Sequence, residues 1–294
     1  MTSSADAIGS VFRRSPKEAF CEFLALAWKS SFVHSYSIEN SHKRFWRRWI
    51  ESNGDNCRWH CRSMADAEAN YSWAGNSDDF SHLGRRLREA INNGSESAVL
   101  ASCLEIFRWG GVARTHNDVS KAWVNQQAAK ETLSSSLRSA VAVLSPKAEL
   151  SFEPFITGQF PMNSAMTKVY AAADSEEKVV IYDGRVGAAL GLLVRRLLEM
   201  VHEPTIPCEL AFRWGDSATN TGSRNPSSKC YLFSKLPTRS TSSDSDFIRA
   251  SLSRHLNEII ADTILVLNRD RITVTPQQIE RALFMIGYDV KGDQ

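Results

Sequence analysis

Two side chains in this sequence have types and spacing suited to chemistry: Lys168 and Asp183. A primary amine can attack an electron-poor carbon and form a Schiff base. An adjacent carboxylate can accept its proton or stabilise positive charge developing on that carbon. Read singly, neither residue is unusual. A lysine in an early helical turn is ordinarily solvated surface, and an aspartate before a helix is ordinarily an N-cap. Their setting is more specific. Lys168 stands near the start of a short helix that follows a tight connection. Asp183 stands where the next helix begins, after the polar turn Asp174-Ser175-Glu176-Glu177-Lys178 and the apolar run Val179-Val180-Ile181-Tyr182.

The elements around this stretch are helical by periodicity. Ser15-Pro16-Lys17-Glu18 has the pattern of a capping box and opens a helix carrying Phe20, Phe23, Leu24, Ala27 and Trp28. A second helix is expected over 38–50, with Phe45, Trp46, Trp49 and Ile50 on one side and Lys43, Arg44, Arg47 and Arg48 on the other. A third is expected over 80–91 with Arg85, Arg86 and Arg88 outward, and a fourth over 96–107. The fourth ends at Arg108-Trp109-Gly110-Gly111, where glycines permit close backbone approach or positive φ. Asn117 or Asp118 then caps one long helical run over 119–144, stopped by Pro146. A short helix over 149–156 ends at Gly158, and Gln159-Phe160-Pro161-Met162 leads to Asn163 or Ser164 as the cap of the helix holding Lys168. Two short helices joined this way form a helix–hairpin–helix shape, whose second helix start suits a phosphate. Further helices are expected over 185–201, 246–268 and 279–288, the last opened by the capping box Thr275-Pro276-Gln277-Gln278. The intervening 215–246 is rich in Ser, Thr, Asn, Gly and Pro and carries Arg224, Lys229, Lys235 and Arg239, a loop suited to phosphate contacts or simply to the surface. The fold class is all-α, with room for a few short strands.

Bulk properties narrow the function classes. A chain of 294 residues with 43% hydrophobic content can bury a core, and a net charge of +2 means that charge for a nucleic acid must be local. No apolar run is long enough for a membrane helix. The N-terminus lacks the basic and apolar regions of a signal peptide, so a cytoplasmic protein with reduced thiols is expected. The six cysteines are scattered, and Cys57-Arg58-Trp59-His60-Cys61 fits no zinc or iron–sulfur spacing. No metal and no cofactor is expected. His116, His202 and His255 have no visible catalytic partner.

The runs Met166-Thr167-Lys168-Val169 and Ile181-Tyr182-Asp183-Gly184-Arg185-Val186 resemble the helix–hairpin–helix DNA glycosylase superfamily, nearest its 8-oxoguanine glycosylase branch. The closing Leu283-Phe284-Met285-Ile286-Gly287-Tyr288 is similar to the C-terminus of a bacterial group with that fold, which includes a phage-defence glycosylase removing glucosylated hydroxymethylcytosine. The hairpin has Gln159-Phe160-Pro161-Met162-Asn163 in place of the family's glycine pair.

The resemblance implies Lys168 as nucleophile and Asp183 as catalytic carboxylate. It also implies an enzyme that binds double-stranded DNA as a monomer, flips out a modified base and cleaves its N-glycosidic bond, leaving an abasic site. A hypermodified cytosine in phage DNA is the expected substrate. Repair of 8-oxoguanine with strand nicking, or non-catalytic DNA binding on the same fold, are the alternatives. Trp109, Asn117, Gln159 and Arg185 are expected to line the base pocket. Gly158, Phe160, Asn163, Ser164, Thr167, Arg224 and Lys229 are expected to contact DNA. The expected division is an N-terminal helical region, 1–94, and a glycosylase-like domain, 95–294, with the hairpin at about 149–174.

Overall fold

The computed structural model describes residues 4–30, 32–40, 43, 46–54, 57–73, 80–113, 115, 118–216 and 222–291. Among them the chain is mainly helical. The elements are α1 (Ser4–Phe12), α2 (Pro16–Lys29), β1 (His34–Ser37), α3 (Arg47–Ser52), β2 (Arg58–Cys61), α4 (Met64–Ala69), α5 (Phe80–Asn92) and α6 (Glu96–Trp109). There follow α7 (Val119–Ala129), α8 (Leu133–Leu144), α9 (Glu153–Ile156), α10 (Met166–Ala173), α11 (Gly184–Val201), α12 (Ser245–Arg269) and α13 (Pro276–Ile286). No described helix is long and apolar enough to cross a membrane.

The chain forms two compact units. The first comprises Met1–Trp73, Asp183–Leu236 and Ile259–Gln294; the second comprises Ala74–Tyr182 and Pro237–Glu258. A boundary at residue 94 does not match this division. It falls inside the second unit, where Leu87 and Ile91 of α5 share one apolar core with Val99, Cys103 and Ile106 of α6.

In the first unit, β1 and β2 pair antiparallel with Tyr36 opposite Trp59, and their rings stack at 4.8 Å. Trp46 and Tyr288 close the cluster edge-on at 5.1 Å, and the Tyr36 hydroxyl donates to the Met285 carbonyl. This cluster corrects the helix expected over 38–50. Among the described residues the α-helix of this stretch is Arg47–Ser52, and Ile38 lies outside it, its amide donating to the Cys57 carbonyl. Arg44 lies outside the described residues. Strand alternation sends Trp59 and Cys61 inward and Arg58 and His60 outward, so His60 and Cys61 do not face one another. Gly187 and Gly287 are sites of close approach. A Cβ on Gly187 would lie 2.0 Å from the Arg213 carbonyl oxygen, and one on Gly287 would lie 1.9 Å from that of Arg185.

The second unit packs α5, α6, α8 and α10 around Leu137, Phe155, Val169 and Tyr170. Arg88, expected outward, instead reaches the Ala172 carbonyl at the end of α10 and pairs with Glu177. The long run over 119–144 is two helices. Glu131 takes a left-handed φ of 56°, and the Glu96 carboxylate accepts from the amides of Leu133 and Ser134, so α8 has its own start. The helix expected over 149–156 is the single turn α9, followed by Gly158 at φ 75°. The apolar run 179–182 is buried but is no strand, because side chains serve its amides. Asp174 holds that of Val179, Asn257 that of Val180 and Thr167 that of Tyr182.

Three thiols are buried. Burial pushes Cys21 and Cys61 in the first unit up to about 12, and pushes Cys103 in the second unit higher still. Cys208 and Cys230 are exposed.

Candidate active-site residues

Asp183 is the N-cap of α11. Its side chain accepts from the amides of Arg185 at 2.9 Å and Val186 at 3.2 Å. The cap satisfies donors that the first helical turn leaves open and fixes the carboxylate at the positive end of an 18-residue helix. Asp183 is half-buried. In the same unit, Arg185 places its guanidinium over three rings: Trp73 at 5.3 Å, Phe284 at 4.5 Å and Tyr288 at 5.2 Å. Distances of this size give cation–π attraction. Burial pushes the Arg185 pKa down, while the charge of Asp183 pulls it up.

Arg224 shares this field. Its Nη1 is 3.4 Å from the Asp216 carbonyl, and its buried Nε has no hydrogen-bond partner. Burial first, and the charge of Arg185 second, push Arg224 down to about 10; Asp183 opposes them. Such a cation is charged in both folded and unfolded chains at pH 7, so its folded-state penalty is fully present there. The penalty is relieved only as pH rises from about 10 towards the free value of 12.5. Arg224→Met is therefore expected to raise stability at pH 7 by about 1–2 kcal/mol after discounting for solvent access, or roughly 2–6 °C in a thermal melt. A lower melting temperature would show that the burial is not a cost.

Lys168 lies in the first turn of α10 and is 6% exposed, unlike the solvated lysine that is the ordinary case. Its Nζ donates to the Ser164 carbonyl at 2.9 Å. Its stem packs on Gly110, where an added Cβ would come within 2.7 Å of Lys168 Cδ. The close approach expected at the Trp109-Gly110-Gly111 step is thus made to the lysine itself, and Gly111 supplies the positive φ of 62°. Asn163 anchors the start of α10: its Oδ1 accepts from the amides of Ala165 and Met166, and its Nδ2 donates to Ser120.

The remaining predicted site residues divide by exposure. Trp109 is half-buried and packs its ring on Phe80 at 4.7 Å. Gly158, Gln159 and Lys229 are exposed, and the Gln159 carbonyl accepts from the Trp123 indole. Asn117 lies outside the described residues. Two expected DNA contacts are corrected. Phe160 is 3% exposed, with its ring in the core beside Phe155 and Trp123. Thr167 is 1% exposed and spends its hydroxyl on the Tyr182 amide at 3.0 Å. Both are apolar-run neighbours of polar residues, and burial followed the run. Comparison of the chain with family models, curated proteins and solved structures finds no match.

Proposed function

We propose that this protein is a DNA glycosylase on a helix–hairpin–helix scaffold. It takes a modified base out of duplex DNA, in the first instance a glucosylated hydroxymethylcytosine of phage DNA, and cleaves its N-glycosidic bond. The observation that carries this reading is Lys168, a buried lysine at a helix start with its amine held on a backbone carbonyl. Lysine is rarely buried without a purpose for its nitrogen. Thr167, the residue before it, binds the amide of Tyr182, the residue before Asp183. One hydrogen bond thus joins the two runs of sequence that resemble the glycosylases.

In this reading Asp183 stabilises the positive charge that builds on the sugar as the base departs, a task for a fixed carboxylate in a site that excludes water. Water adds its oxygen to C1′, its proton leaves with the departing base, and an abasic site remains. In this version Lys168, engaged with Ser164, serves a DNA phosphate and does not attack the sugar. The hairpin with Gly158, Asn163 and Ser164, together with Arg224 and Lys229, supplies DNA contacts, and the protein works as a monomer.

The test is release of free base, detected by mass spectrometry, from duplexes carrying unmodified, hydroxymethylated, glucosylated or oxidised bases. Release from the glucosylated duplex, with no borohydride-trapped adduct, is the expected result. A trapped adduct would make Lys168 the nucleophile, and release from the oxidised duplex alone would move the substrate to 8-oxoguanine. Release from none would leave a DNA-binding protein without this chemistry.

A further inference from the structure

The second unit contains a cavity of about 370 Å³, within the range of small-molecule sites. The first residues of three helices line it. Asp118 and Val119 begin α7, Ser164 and Ala165 lead into α10, and Ser245 and Asp246 begin α12. Each helix start carries about half a positive charge. Two arginines also line the cavity, Arg239 and Arg249, against two carboxylates, Asp118 and Asp246. Their formal charges cancel, so the three helix ends leave the cavity net positive.

The polar groups differ in how they are used. Asp118 caps α7 through the amides of Ser120 and Lys121, and Asn163 caps α10. Arg239 holds Asp246 through Nε and Nη2, which leaves three of a guanidinium's five donors. Ser245 is the exception. It is 1% exposed, it lines the cavity, and its hydroxyl has no hydrogen-bond partner. A buried hydroxyl without a partner costs about 1–3 kcal/mol, so the position is unfavourable unless something fills the need. At the first turn of a 25-residue helix, beside arginine, an anionic acceptor meets that need. Apolar side chains also line it: Val112, Val119 and Met162. A bare phosphate would leave most of this volume empty.

We propose that the cavity binds a phosphate monoester of nucleotide size, with its phosphate at the start of α12 among Ser245, Arg239 and Arg249 and its organic body against Val112, Val119 and Met162. The site uses neither Lys168 nor Asp183, although Asn163 and Ser164, placed above among the DNA contacts, also line it. Calorimetric titration of the intact protein with deoxycytidine 5′-monophosphate is expected to show saturable binding that inorganic phosphate competes away, while deoxycytidine gives no heat. Ser245→Ala is expected to weaken the monophosphate about tenfold while the melting temperature of the free protein rises or holds, since the hydroxyl it removes has no partner. Arg239→Lys, which keeps the charge opposite Asp246, is expected to weaken it as well. Absence of saturable binding, failure of phosphate to compete, or equal affinity in Ser245→Ala and the parent would overturn the assignment. The titration needs no base release, so its result is separable from that of the base-release assay.

Discussion

Asp183→Asn is expected to slow base release by about 10²–10³-fold, the usual loss when one preorganised electrostatic group is removed from a transition state. The substitution isolates charge from structure. Asparagine caps helices as well as aspartate does, so the amides of Arg185 and Val186 keep an oxygen acceptor. Stability should therefore change by less than about 1 kcal/mol, and duplex affinity, read by fluorescence anisotropy, should persist. Asp183→Ala removes the cap too and should cost about 1 kcal/mol more. Base release at the parent rate in Asp183→Asn would remove Asp183 from the chemistry, whatever the remaining DNA affinity.

The largest expected loss of stability lies at Gly287. A Cβ there would sit 1.9 Å from the Arg185 carbonyl oxygen and 2.6 Å from its carbon. Both are backbone atoms in the first turn of α11, so no side-chain rotation relieves the overlap. The end of α13 or the start of α11 must move, and Gly287→Ala is expected to cost about 3 kcal/mol or more in denaturant unfolding. Gly158→Ala is the contrast. Nothing lies within 4 Å of that Cβ, and only the φ of 75° resists it, a cost of about 1 kcal/mol. Because Gly287 presses on the helix that begins at Asp183, any folded Gly287→Ala protein should also release base more slowly than the parent. A loss under about 1 kcal/mol would mean that the two helix ends are not in contact as described.

What the sequence made legible was local. Ser15 accepts from the Glu18 amide, Thr275 and Gln278 cap one another, and Asn163 and Asp183 both hold helix-start amides. Each signal involves residues a few positions apart, and each was placed correctly. The failures were non-local. Nothing within 119–144 announces that Glu96, on another helix, will take the amides of Leu133 and Ser134 and divide the run. Nothing within 38–50 announces that its tryptophans belong to a ring cluster completed by Tyr36, Trp59 and Tyr288. The same limit applies to function. Lys168 and Asp183 stand out because their neighbourhoods are short sequence patterns. The cavity at Ser245 does not, because its walls come from three separate stretches of chain and its informative atom is an ordinary serine hydroxyl. Arg224 was legible as a basic loop residue, but its burial beside the charge of Arg185 was not.

The placement of the thiols has a practical consequence for measuring how this protein breathes. Only the thiolate reacts with alkylating agents, so a buried, protonated cysteine is silent until its surroundings open. Cys103 sits in the core of one unit, and Cys21 and Cys61 sit in the core of the other. Cys208 and Cys230, being exposed, label at once and mark time zero. The native chain therefore carries an internal clock for each unit, and peptide-resolved alkylation rates would report whether the two open together or in turn.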